Sequence, residues 1–165
     1  MFTKIVEKIN QWMATFSVVL IFIMMVSITV DVGLRFLAGA PITGVVELNR
    51  TLLVVVVFFT LGYAQARKQH INVEFLVNKL SEKRKILVIS LGTLLALVIM
   101  AMITYGSISA AYTSTVEGEH EVGLLNYPVW PGRIALAFGL FTLCLQYVVG
   151  IINGFLFLLK KGEVD

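Results

Sequence analysis

The stretch DVGLRFLAGAPITGVVELNR, residues 31–50, separates two long apolar runs of the chain. Gly39, Pro41 and Gly44 interrupt it, since proline cannot continue a helix and glycine permits a positive φ. Four ionisable side chains flank this break, two on each side: Asp31, Arg35, Glu47 and Arg50. The first two are four residues apart and the last two are three apart, so each pair shares one face of a helix. The stretch therefore predicts a turn between two helices, with an opposite-charge pair on each.

The composition argues against an ordinary soluble domain. Hydrophobic residues make up 58% of the 165 residues and charged residues 14%, whereas a soluble domain has about 25% charged residues. A core formed by so short a chain cannot hide that much apolar side chain, so lipid is the expected solvent. The basic residues form no continuous stripe, which argues against a nucleic-acid partner. The single cysteine, Cys144, cannot form an internal disulfide.

The N-terminal apolar run has some features of a cleaved signal peptide, because lysines precede it and an Ala-Gly-Ala sequence at 38–40 follows it. However, the run from Met13 to Val30 is longer than a usual signal-peptide core. Asp31 and Arg35 lie between the run and the supposed cleavage site, and Pro41 would follow the cut. We therefore expect a retained membrane helix.

Four segments reach the length of about 20 residues that an α-helix needs to cross a bilayer. The second does so only if its helix begins near Gly44, which places Glu47 and Arg50 in its first two turns. Ten basic residues lie at the termini and in the middle connection, against three on the other side. The positive-inside rule then predicts cytoplasmic termini. We expect a single all-α membrane domain over 1–165, with four transmembrane helices at roughly 13–37, 44–66, 86–111 and 131–159.

Two segments on the predicted cytoplasmic side have apolar residues at helical spacing, at the N-terminus from Phe2 to Phe16 and in an arm over 72–80. Both are predicted as amphipathic interfacial helices. They could anchor the chain in the membrane surface, or one of them could dock on a partner subunit. Trp12, Tyr127 and Trp130 suit the aromatic belt at the headgroup level, and Trp130 is also a candidate for partner contact.

The charged residues of the stretch 31–50 have two interpretations. A charge at the bilayer centre costs about 2.5–3.5 kcal/mol, so ionisable groups in membranes usually pair or face protein. A structural ion-pair network or a contact with another protein is therefore favoured. A proton or ion site is the alternative, although a coupling carboxylate normally lies nearer the midplane. His70, outside the spans, is a polar loop residue or a group that titrates near neutrality.

The middle of the membrane holds few polar side chains, and these are mostly hydroxyls. The fourth span also has Gln146 and Asn153, with Gly150 and Gly154 in a G-x-x-x-G arrangement, and such residues commonly let helices approach and form hydrogen bonds. No interrupted helix pair, which a substrate site usually needs, is evident. The sequence contains no metal, nucleophile or phosphate-loop motif and no histidine inside a span that could hold haem. We therefore predict neither an enzyme nor a bound metal or cofactor.

The segment from Arg35 to Leu80 contains a spaced series of charged, glycine, proline and histidine positions. In chain order these are Arg35-Phe36, Pro41, Glu47-Leu48, Arg50, Gly62, Ala64, Arg67, His70-Ile71 and Val73-Glu74. In this order and spacing, the segment resembles the DctQ-type small membrane subunit of tripartite ATP-independent periplasmic (TRAP) transporters. Gly44 and Val45 stand where the family often has an aromatic residue, and Glu74 stands where aspartate is usual.

The resemblance implies a non-catalytic scaffold subunit of a sodium-driven, binding-protein-dependent secondary transporter in the bacterial inner membrane. Its partners would be a large multi-helix transport subunit, which holds the substrate and sodium sites, and a periplasmic substrate-binding protein. The imported substrate would be a small organic acid of the dicarboxylate or sialic acid type.

Two other functions are open to a chain of four spans. One is a self-sufficient four-helix proton-coupled transporter, but such exporters keep an acidic residue inside the first span, whereas Asp31 lies at the end of this one. The uneven distribution of basic residues also argues against the dual-topology members of that class. The other is an anchor for an unrelated membrane complex, which shares the scaffold role and differs in its partner.

Overall fold

The computed structural model of the chain describes residues 2–67, 82–121 and 126–162. Each of its four long helices contains a segment long and apolar enough to cross a membrane. This confirms the prediction of an all-α membrane protein with four transmembrane helices. The helices are α1 (Phe2–Ala38), α2 (Val45–Ala66), α3 (Glu82–Glu117) and α4 (Trp130–Gly162).

A short hairpin connects α3 to α4. Its strands β1 (His120–Glu121) and β2 (Tyr127–Pro128) are antiparallel, and His120 lies opposite Pro128. The hairpin lies at the same end of the molecule as the α1–α2 connection, and we call this end, residues 31–50 and 118–133, the loop end. The opposite end, which contains the start of α1 and the last turns of α4, is called the terminal end. His70 and the predicted arm at 72–80 lie outside the described residues.

The helices differ in length relative to a membrane. At about 1.5 Å per residue, the 22 residues of α2 span roughly 33 Å, close to the hydrocarbon thickness of about 30 Å. The other three helices have 33–37 residues, so they extend beyond that thickness. The predicted N-terminal interfacial segment is the first part of α1 and is continuous with the first span. Residues 2–32 contain neither glycine nor proline, so nothing interrupts the helix there.

The four helices form a layer in the order α1, α2, α4, α3. Helix α4 packs against both α2 and α3, while α1 packs against α2 and touches α4 only slightly. Leu140, Leu143 and Tyr147 of α4 form the centre of the core, and side chains of α2 and α3 pack on them from either side. Because α1 and α3 are the edges of the layer, each leaves broad apolar surface exposed.

A close backbone approach holds α2 against α4. A Cβ atom added to Gly139 would lie 2.6 Å from the carbonyl oxygen of Phe58, so only glycine fits there. This is the kind of contact that a G-x-x-x-G arrangement predicts. In the structure, however, Gly150 lies on the exposed side of α4, and none of the described atoms comes within 4 Å of an added Cβ. The glycine at which α4 closely contacts α2 is therefore Gly139, which lies outside the G-x-x-x-G arrangement.

One narrow stripe of α1 faces the other helices. Its buried residues recur at alternating spacings of four and three, and they include polar side chains among the apolar ones. In lipid, helices associate by close packing and hydrogen bonds, because lipid is as apolar as the side chains. The stripe therefore both packs and carries the polar contacts of α1: Val6, Asn10, Met13, Ser17, Leu20 and, towards the loop end, Asp31.

Candidate functional site

The turn between α1 and α2 depends on two glycines with left-handed backbone conformation. Gly39 has φ of 64° and Gly44 has φ of 89°, a region that side chains larger than hydrogen rarely adopt. Helix α2 begins directly after Gly44, as the sequence predicted, and the Leu48 N–H donates to the Gly44 carbonyl at 2.9 Å. This start places Glu47 and Arg50 in the first two turns of α2.

Asp31 fixes this turn. The residue is 5% exposed, and its Oδ2 lies 2.9 Å from Nη2 of Arg35, so the predicted pair forms. Its other oxygen, Oδ1, accepts a hydrogen bond from the backbone N–H of Ile42 at 2.7 Å. A buried carboxylate is stable only when it is paired and hydrogen-bonded. Asp31 meets both conditions and thereby ties the end of α1 to the connection that leads into α2.

The second expected pair does not form. Arg50 makes its ion pair with Glu121 of β1, and Glu47 has no ion pair among the described residues. The physical reason is the position of the β1–β2 hairpin, which brings a carboxylate to the arginine from a distant part of the chain. Glu47 lies in the first turn of α2, where the helix dipole favours a negative charge even without a partner.

A further ion pair, which the sequence did not predict, joins the ends of α3 and α4. Arg133 makes two contacts with Glu119, from Nη2 to Oε1 at 2.8 Å and from Nη1 to Oε2 at 2.7 Å. The chain leaves α3 through Gly118, with φ of 62°, and the Glu119 N–H donates to the Ser114 carbonyl at 3.0 Å. This helix ending directs Glu119 towards α4. The sequence did contain a signal for an extended segment here. Acidic residues occupy every second position, at 117, 119 and 121, which is the spacing typical of a strand.

These groups line a cleft of about 440 Å³ between the hairpin and the loop ends of α2 and α4. Arg50, Glu119, Glu121 and Arg133 all face it, and Tyr127 forms part of its wall. Each carboxylate in the cleft pairs with an arginine, so the charges balance locally. The arrangement connects three helices at one end. Among the described residues, every carboxylate that lines the cleft has an arginine partner.

A neutral contact lies below the charged ones. Asn49 is buried, its Nδ2 donates to Oγ of Ser27 at 3.0 Å, and it also donates to the Val45 carbonyl at 2.7 Å. The bond to Ser27 joins α1 and α2. Sequence reasoning missed Asn49. It lies between Glu47 and Arg50, and the prediction for this segment rested on those two charged residues. The signal was its position on the same face as the apolar core of α2.

The terminal end is held by amides. Asn10 of α1 is fully buried, and its Nδ2 donates to Oε1 of Gln146 on α4 at 3.1 Å. A Cβ atom on Gly62 would lie 2.2 Å from Oδ1 of Asn10, so α2 supplies the space for this amide. Three helices therefore meet at one polar contact. Sequence reasoning placed Asn10 in a surface helix and missed it, although it continues the buried stripe of α1.

The predicted membrane anchors lie at opposite ends. Trp12, on α1 near the terminal end, is 69% exposed. Trp130 is the first residue of α4 at the loop end and is also exposed, while Tyr127 is half-buried against the cleft. Whether these rings lie at the headgroup level stays a prediction. Within the described residues, no group of His, Cys, Asp or Glu is arranged to hold a metal ion.

The comparison with known families agrees with this architecture. Residues 24–157 match the family described as tripartite ATP-independent periplasmic transporters, DctQ component. The match covers most of the chain, including the turn, the β1–β2 hairpin and most of α4. No curated protein matches the chain. With four membrane-crossing helices and a family match of this extent, the chain belongs to the DctQ family, the small inner-membrane component of TRAP transporters.

Proposed function

We propose that the chain is a non-catalytic scaffold that braces the large transport subunit of a sodium-driven importer of small organic acids. Membership of the DctQ family makes it a transporter component and implies association with the large TRAP component and a substrate-binding protein. In this proposal the large subunit carries the substrate and sodium sites, and the substrate is of the dicarboxylate or sialic acid type. The loop end faces the periplasm and both termini face the cytoplasm.

The position of the polar groups is the observation that carries the proposal. In the described residues, the ion pairs lie at the loop end, as does a hydrogen bond from Arg133 of α4 to the Ala110 carbonyl of α3. The other side-chain hydrogen bonds between helices involve amides, hydroxyls and a thiol. A transport site would need a polar path through the middle of the layer. The helices are instead joined at both ends, by Asp31 and the two Glu–Arg pairs at one and by Asn10 at the other. Such a layer resists sliding of its helices, which is what a brace requires.

Two kinds of group at the loop end are the proposed contacts with partner proteins: exposed side chains, and the half-buried Glu47. Arg35 keeps its side chain 58% exposed despite its bond to Asp31, and Glu47 has no ion pair in the described chain. Phe36 and Leu37 beside Arg35 are more than 80% exposed. Asp31 and Arg50, in contrast, have their partners within the chain. We therefore assign partner contact to Arg35 and Glu47, with Trp130 at the start of α4, and an internal structural role to Asp31 and Arg50.

Reconstitution tests the proposal. The chain would be placed in vesicles alone, and together with its large subunit and binding protein, and uptake of labelled organic acids would be measured under a sodium gradient. We expect no uptake by the chain alone and sodium-dependent uptake by the full set. Arg35→Ala and Glu47→Ala should each reduce the fraction of assembled complex, whereas uptake or proton flux by the chain alone would support a self-sufficient transporter.

A further inference from the structure

The terminal end of α1 has an apolar groove that the scaffold role does not explain. The groove has a volume of about 350 Å³. Its lining is almost entirely apolar, and Lys8 is the single charged residue among the described residues that line it. The lining residues are Ile5, Lys8, Ile9, Trp12 and Met13.

The length of the uncharged part of α1 indicates where this groove lies in the membrane. Gln11 and Asp31 are 20 residues apart with no ionisable residue between them, which corresponds to roughly 30 Å of helix. That distance equals the thickness of the hydrocarbon core. With Asp31 at one boundary, Trp12 lies at the other. Lys8, one helical turn further on, then lies among the phosphates of the lipid headgroups.

The groove opens towards the hydrocarbon along α1. Phe16, Val19 and Ile23 follow Trp12 at spacings of four, three and four, and all three are exposed. They form one apolar surface that continues from the groove into the membrane. An acyl chain could follow this surface over several helical turns, whereas a water-soluble ligand would gain nothing from it.

The charge at the groove favours an anionic headgroup. Lys4 and Lys8 are one turn apart, both are exposed, and neither forms an ion pair within the described part of the chain. Glu7, the nearby carboxylate, does not line the groove. A lysine ammonium binds phosphate as a point charge, and lysines near a membrane surface attract anionic lipids.

We propose that this groove binds one phospholipid with a net negative headgroup. The phosphate lies against the Lys8 ammonium, with Lys4 adding to the attraction, and one acyl chain lies along Trp12 and Phe16. The lipid would fix the depth of α1, an edge helix of the layer whose contacts within the described residues are mainly with α2.

Fluorescence quenching by brominated lipids tests the proposal. The chain has two tryptophans, so Trp130→Phe leaves Trp12 as the reporter. The full-length variant is placed in phosphatidylcholine vesicles with a minor fraction of brominated phosphatidylglycerol, and the lipid roles are then exchanged. We expect the anionic lipid to be enriched at Trp12 by about fivefold, which corresponds to ~1 kcal/mol, and the enrichment to fall with salt.

The controls separate a specific site from general surface charge. Lys8→Gln should remove most of the enrichment, while Lys83→Gln, which removes the same charge from α3, should leave it unchanged. Equal quenching by both brominated lipids would overturn the proposal, since Trp12 would then contact only bulk lipid. Protection of Trp12 from both lipids in the assembled transporter would overturn it as well, because a protein would then occupy the groove.

Discussion

The two ends of the molecule hold the same helices together by different chemistry. At the loop end, ion pairs connect the β1–β2 hairpin with the ends of α2, α3 and α4, and the Asp31 carboxylate of the Asp31–Arg35 pair accepts a hydrogen bond from the turn. At the terminal end, the amide of Asn10 meets Gln146 over Gly62, with no charge involved. The difference follows from access to water. Arg35 and Arg50 have more than half of their side chains exposed, whereas Asn10 is fully buried.

The comparison shows where a membrane protein can use charge. A buried ion pair has to recover a desolvation cost of several kcal/mol per ion, and it often does so poorly. At the loop end that cost is reduced, because each arginine remains partly exposed. Where the contacts between helices are buried, amides and hydroxyls join the helices, and their desolvation cost is smaller than that of charged groups. The exception is Asp31, which is buried and depends on both of its partners.

The largest expected effect follows from removing that carboxylate. Asp31→Ala leaves the Ile42 N–H and the Arg35 guanidinium without their acceptor, and we expect a loss of about 2–3 kcal/mol in the free energy of unfolding. Asp31→Asn keeps an oxygen for the backbone bond and should lose less. Unfolding in mixed detergent micelles measures both variants. Equal stability of Asp31→Ala and the unmodified chain would show that the turn does not need this residue.

The terminal end can be disturbed by one methyl group. Gly62→Ala places a Cβ against the Asn10 amide, which cannot move without breaking its bond to Gln146, and we expect a loss of about 1–3 kcal/mol. The matched control is Gly150→Ala, where the added Cβ meets open space. Alanine favours a helix over glycine by up to about 1 kcal/mol, so this control should gain stability. A similar loss in both variants would contradict the close contact at Gly62.

The amide contact itself should contribute less than the carboxylate at the other end. Asn10→Leu removes the hydrogen bond to Gln146, and bonds of this kind in membranes contribute about 0.6 kcal/mol on average. A double-mutant cycle with Gln146→Leu measures the coupling between the two amides. Strict additivity of the two changes would mean that the contact does not stabilise the protein.

The smallest expected change in stability comes from breaking the ion pair of Arg50. Two acidic residues, Glu121 and Glu47, could be its partner. Arg50→Ala and Glu121→Ala should each cost about 0.5 kcal/mol, since the arginine is largely exposed and solvent weakens the pair. Glu47→Ala removes only the favourable interaction of this charge with the dipole of α2, about 0.3–1 kcal/mol, and this loss should be the same whether or not Arg50 is present. Coupling energies from the Arg50–Glu121 and Arg50–Glu47 cycles provide the measurement. Stronger coupling to Glu47 would restore the pairing that the sequence predicted.

The sequence could predict the features that depend on neighbouring residues. The Asp31–Arg35 pair follows from a spacing of four on one helix, and the start of α2 follows from Gly44 and the length that a span requires. The four helices follow from the apolar runs. In these cases the deciding contact lies within one or two turns of chain.

Other features depend on which elements become neighbours in space. Arg50 takes Glu121 because the hairpin folds back over α2, and no local spacing indicates this. Lys4, Lys8 and Gln11 mark an exposed face and predict a surface helix, yet the buried stripe of α1 passes through Asn10. The order of the helices in the layer is equally non-local, since periodicity identifies a buried face without identifying what covers it.

The central claim is that the transport site lies in another protein, which this chain braces. Affinity purification of the tagged chain from its native membrane in mild detergent, followed by mass spectrometry, tests this claim most directly. We predict that a large multi-helix membrane protein is recovered in a fixed, stoichiometric ratio with the chain. Recovery of a homo-oligomer with no other membrane protein would contradict the claim, and Asp31 and Glu47 would then be the first residues to test for ion coupling.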